Sequence, residues 1–318
     1  MTTLDPRLVG RISGRLSGRQ PEATNLEARE AVLQLRESAR RAPAIVSEVS
    51  GLDSAAVTSE IPVHVVDRTR WAQAAAQSFN SVLDGAAGTG TLTSARSRAR
   101  SAFESASDLA TSAGMGAGLS IMAASVLGQY DPFTGGSGRL VLVAPNIVAF
   151  GRSYDLDQSD LALWVSVHEL THAAQFAQAP WLRDYVISRV TPLINATDES
   201  ELSLEEGPGG ELTAIMSLLE GHAEYMMSDV SRRMIPTLHK LKRAMAQRRT
   251  ESNPIKTALY KLTGMDLKMA QYATGGAFVE GVIKEAGIEG LNQLWTDPLN
   301  APSPAELESP LAWEHRVL

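Results

Sequence analysis

Apolar residues recur at helical spacing along most of the chain and at strand spacing in two short places. Leu26, Ala28, Val32, Leu33 and Leu35 alternate with Glu and Arg over Asn25 to Arg41, which predicts a helix that Pro43 ends, with a short helix following through Gly51. Pro62 to Val66 reads as a brief extended segment, and Asp67 can cap a helix through Trp71, Ala75 and Phe79. His64, alone in that extended run, reads as structural. Ala86 to Thr93 is a Gly/Thr turn or linker, and a helix is expected from Ser97 to Thr111. A helix of small residues, Ala113 to Gly128, follows. Asp131 to Gly138 is turn-forming.

Arg139 to Ala144 is the clearest strand, and Pro145-Asn146 stops it. Leu161 to Phe176 reads as one helix, and Ala179-Pro180 breaks it. Thr197 to Gly210, acidic and then rich in Gly and Pro, reads as an exposed loop. Glu211 to about Met234 carries the stripe Leu212, Ile215, Met216, Leu219, Ala223, Met226 and Met227. Ile235-Pro236 kinks or restarts a helix carrying Lys240, Lys242, Arg243, Arg248 and Arg249, a solvated basic face. Asp266 to Ala286 is helical, Asp297 to Pro310 irregular, and Trp313 anchors the tail. The fold class is therefore mainly α, with a small β element next to the helix at 161–176.

That helix carries His168-Glu169-Leu170-Thr171-His172. At 100° per residue, Leu161, Val165, His168, His172 and Phe176 share one side, so both imidazoles can reach one ion. Glu169 lies off to the side, where it can reach a water on that ion rather than the ion itself. This is the HExxH arrangement of zinc hydrolases. The metzincin pattern would need Gly at 175 and His at 178, and the chain has Gln175 and Gln178. The third ligand must come from elsewhere.

Glu220, at the border of the later apolar stripe, is the best candidate, which makes the site gluzincin-like. Glu224 is one turn further along the same edge and could orient a ligand histidine. His222 lies near the opposite border, so one ion does not easily take both it and Glu220. Its role is structural, or it stabilises an oxyanion or holds substrate. Gly221 costs about 1 kcal/mol in a helix interior relative to Ala, understandable if this helix must approach the HExxH helix closely. Tyr272 packs in a helix or donates to a tetrahedral oxyanion. The strand at 139–144 either is buried structure or, as an edge, adds an extended substrate to the sheet.

Composition narrows the chemistry. Cysteine is absent, which excludes disulfides, thiolate zinc sites and a Cys nucleophile, so a metal must use His, Asp or Glu. A net charge of −7 disfavours nucleic acid as a partner, and Arg96, Arg98 and Arg100 read as a solvated face. The run 113–128 is too short and too rich in Gly and Ser to span a membrane. Met1 to Gly18 lacks a continuous apolar core, so no signal peptide is expected and the location expected is cytoplasmic.

The segments HELTHAAQF and APWLRDY, with LLEGHAEYMM, VLGQYDPF, LVLVAPNIV, Gln271-Tyr272 and Pro310-Leu311-Ala312-Trp313, resemble the zincin-like metallopeptidase family found mainly in actinobacteria. Some of its members carry a label associating them with biosynthesis of a deazaflavin coenzyme, and nothing in these residues looks like a deazaflavin site. The resemblance covers nearly the whole chain. It implies a single zincin-like unit over 1–318, with a helical part at 1–130 and the strand and site helices at 131–318. It also implies Zn2+ on His168, His172 and Glu220, Glu169 as the catalytic residue, and a peptide or protein substrate. Two other readings use the same residues: hydrolysis of an amide or ester in a small metabolite, and a metal-stabilised binding module without turnover.

Overall fold

The computed structural model describes residues 4–88, 116–195, 206–230, 232–250 and 269–318. Along them run helices α1 (Pro6–Leu16), α2 (Asn25–Ser50), α3 (Arg68–Gly88), α4 (Ala144–Ser153), α5 (Gln158–Gln178), α6 (Leu182–Asn195), α7 (Gly207–Asp229), α8 (Leu238–Thr250), α9 (Met269–Asn292), α10 (Pro304–Glu308) and α11 (Pro310–Val317). Strands β1 (Val63–Val66), β2 (Gly128–Asp131) and β3 (Arg139–Val143) form a three-stranded sheet. The described chain is thus mainly α with a small β element, as the periodicity predicts. The expected helix at 97–111 and the Arg96, Arg98 and Arg100 cluster lie outside the described residues. Among those described, no helix is long and apolar enough to cross a membrane.

The chain divides into two compact units, Met1–Pro43 with Ser59–Leu170 and Ser231–Met265, and Ala44–Thr58 with Thr171–Val230 and Asp266–Leu318. The division passes through α2 at Pro43 and through α5 after Leu170. α2 runs unbroken through Pro43, where the sequence pattern predicts a stop. A proline inside a helix costs about 3 kcal/mol or more through its missing donor and ring clash. Ala39, Ala42 and Val46 are buried along this stretch, and that burial offsets the cost.

The first unit holds the sheet. β3 is its central strand, parallel to β1 from Val63↔Leu140 to Val66↔Val143 and antiparallel to β2 from Gly128↔Leu142 to Asp131↔Arg139. Leu140 to Val143 are buried, as a strand covered on both faces requires. The expectation that this strand could be an edge fails, because both of its sides are paired. β1 and β2 are the outer strands, and β2 spans a stretch where the pattern places only a helix end at Gly128 and a turn from Asp131. Gly128-Gln129-Tyr130-Asp131 has no apolar alternation of its own and becomes a strand through pairing with β3. Its approach is fixed by Asn146, whose side-chain amide donates to the carbonyls of Ala123 (2.8 Å) and Val126 (2.6 Å). Asn146 accepts in turn from the buried Arg68 at 2.7 Å. Asp131 holds the turn that follows, accepting from Ser78, Phe133 N–H, Thr134 and Arg139. Pro145, expected only to stop β3, sits in the first turn of α4, where a proline's fixed φ suits a helix start.

In the second unit α7 and α9 pack closely. A Cβ built on Gly221 would lie 2.2 Å from the carbonyl carbon of Gly275, and one on Gly275 would lie 1.9 Å from the carbonyl oxygen of Ser217. The close approach expected at Gly221 is real, but the helix it meets is α9 and not the HExxH helix. The Gly/Pro-rich stretch at 207–210, expected in a loop, forms the first turn of α7, with Pro208 in it and Gly210 N–H bonded to the Glu206 carbonyl. Trp313 anchors the tail as predicted. It is fully buried, donates to the Asn300 carbonyl at 2.7 Å and meets Phe278 edge to face.

Candidate metal centre

α5 begins at Gln158, with the Asp157 carboxylate accepting from Asp160 N–H at 2.9 Å. From there the helix is regular through Gln178, so His168 and His172 stand one turn apart on the same side. The indole of Trp164, one turn before His168, stacks on that imidazole at 5.8 Å between centroids and 11° between planes. Such a stack limits rotation of the ring. α7 supplies Glu220, whose Oε1 lies 3.6 Å from His172 Nε2. Ligand atoms of His168, His172 and Glu220 all lie within 4.8 Å of one another. Two ligands of one tetrahedral zinc, each about 2.0–2.1 Å from it, stand about 3.3 Å apart, so the His172–Glu220 separation is of the right size. Two imidazoles and a carboxylate are also the donor set zinc prefers when no thiolate is present.

Glu169 is placed by β2. The ladder bond from Val143 N–H to the Leu127 carbonyl sets the alternation, so the main-chain groups of Gly128 and Tyr130 point to the outer side. Tyr130 N–H donates to Glu169 Oε2 at 3.0 Å. That bond fixes the direction in which the carboxylate points. Gly128 makes this approach possible: a Cβ there would lie 2.8 Å from Glu169 Cγ and 2.9 Å from Val165 Cγ1.

The remaining candidates fall elsewhere. His222 is fully buried, its Nδ1 is 2.9 Å from the Gln175 side-chain nitrogen, and its ring meets Trp295 edge to face at 5.1 Å. Burial, and next the electrostatic influence of His172, push its pKa down to about 3, so it is neutral. A fully buried ring engaged in this way does not face substrate. Glu224 is exposed, and the group that meets Nδ1 of His172 is Gln175, at 2.9 Å. Tyr272 falls within α9, at a position whose side chain lies outside the described residues. In the sequence Gln175 stands out only as the residue in the place of a metzincin glycine. Its spacing, three residues after His172 on the same helix, is the signal that could have marked it.

Comparison with known proteins agrees with this geometry. The zincin-like metallopeptidase family matches residues 4–208 and 205–313. A protein from Chloroflexus aurantiacus, whose crystal structure is described as that of a candidate hydrolase with a novel fold, is 27% identical. The match covers 98% of each chain with a TM-score of 0.71. No curated protein matches the chain. With the family matched along nearly its whole length, this chain belongs to the zincin-like metallopeptidases.

Proposed function

We propose that the protein is a zinc-dependent peptidase, with His168, His172 and Glu220 holding the metal and Glu169 acting as general base. The observation that carries the reading is the convergence of those three donor side chains from α5 and α7, with ligand atoms within 4.8 Å of one another. Bound there, zinc would lower the pKa of a coordinated water to about 7 and polarise a substrate carbonyl. The Glu169 carboxylate, aimed by Tyr130 N–H, would take a proton from the attacking water and return it to the leaving amine. β2, the outer strand beside Glu169, is where an extended peptide would align, in place of β3.

The test is Glu169→Gln, assayed against a peptide substrate found by library screening. Zinc content stays at the wild-type level while turnover falls by about 10²–10⁴-fold, the usual contribution of a positioned base. Wild-type turnover in this variant would overturn the role of Glu169. Hydrolysis of non-peptide amides or esters with no peptide cleavage would overturn the substrate class.

A further inference from the structure

Gln175 is completely buried three residues beyond His172. Its amide nitrogen lies 3.0 Å from the Leu219 carbonyl oxygen and 2.9 Å from His222 Nδ1. Its amide oxygen lies 2.9 Å from His172 Nδ1. A carbonyl only accepts, so Leu219 decides which end of the amide is nitrogen. The other end is then an oxygen, which also only accepts, so His172 Nδ1 must carry its proton. The proton is thereby removed from Nε2, the atom facing Glu220 at 3.6 Å. The second amide hydrogen points to His222 Nδ1, which makes that nitrogen the acceptor and puts the His222 proton on Nε2. The His222 ring is held in place by the Trp295 indole, whose backbone carbonyl accepts from Trp181 Nε1 at 3.0 Å.

We propose that Gln175 is a positioning residue that fixes His172 as the Nδ1–H tautomer and presents its Nε2 lone pair to the metal, with Leu219 O and His222 locking the amide. This rests on the metal reading of the site. It gives His222 a function that requires its burial, as the fixed acceptor behind the amide. It also explains a fully buried glutamine, since an unsatisfied amide there would cost several kcal/mol. Both ends of the Gln175 amide are hydrogen-bonded.

Two measurements test it. The first is long-range ¹H–¹⁵N correlation of the histidine rings in metal-free wild-type protein at mildly alkaline pH. His172 is expected as the Nδ1–H tautomer, and finding it as Nε2–H would overturn the proposal. The second is zinc affinity, by competition with a chromogenic chelator, in wild type and in Gln175→Met, a change of similar length that cannot accept or donate in this way. Affinity is expected to fall about 10–100-fold, the usual effect of losing a partner that orients a ligand. Equal affinity in wild type and Gln175→Met would remove the role of Gln175 and leave the metal site standing. A wild type that binds no zinc would instead overturn the site itself. If the variant fails to fold, the tautomer of the wild-type ring still decides the proposal.

Discussion

Glu169 and His172 are three residues apart on one helix, yet they are held by different kinds of structure. Glu169 is fixed by a main-chain donor, Tyr130 N–H, which is present with any residue but proline at position 130. What matters there is how close β2 lies, and the missing Cβ of Gly128 sets that distance. His172 is fixed by a side-chain amide whose own orientation depends on two further acceptors, Leu219 O and His222 Nδ1. The proposed base is therefore positioned by the sheet and the proposed ligand by a buried polar network. Backbone supports tolerate most single substitutions. Buried networks fail as a unit, since each unpaired member becomes a desolvated polar group.

This contrast can be broken from both sides. The largest effect is expected from Glu220→Ala, which removes a donor outright. Zinc affinity should fall by more than the 10–100-fold that follows loss of an orienting partner, and turnover should go with it, as read by metal analysis and rate on the same preparation. Gly128→Ala comes next. Its methyl group collides with Glu169 Cγ, and displacing a reacting group by about 1 Å can cost about 10²-fold in rate. Zinc content should stay at the wild-type level. A parallel loss of metal would show that β2 supports the ligands as well as the base. The smallest effect is expected from Tyr130→Phe. It removes the hydroxyl bond to the Ser137 carbonyl, about 0.5–1.5 kcal/mol of stability at most, and leaves the N–H donor in place. Turnover should be unchanged within a factor of about two. A large drop would mean that the phenol, and not the main chain, holds the site together.

The helices were legible because their apolar residues recur every three or four positions, and the HExxH spacing was legible for the same geometric reason. Glu220 could be picked out because it sits at the border of a clear apolar stripe. β2 could not be read, since its four residues carry no strand signal and take their conformation from β3. The continuation of α2 through Pro43 was hidden too, because the burial that offsets the proline is a tertiary effect. Gly221 signalled close packing, but a glycine in a sequence does not say which backbone will come near. The network around Gln175 depends on Leu219 and His222, 44 and 47 residues away, a distance that local periodicity does not span.

The meeting of Gly221 with Gly275 reaches beyond helix packing. Glu220 is the residue immediately before that notch, so the crossing indexes the carboxylate lengthwise, as a key fixes a shaft. A slip of α7 by one turn would drive side chains into the backbone of α9 before it moved the acid away from His172. Any redesign that exchanges the donor at 220 therefore inherits an axial position already set by two residues that carry no side chain at all.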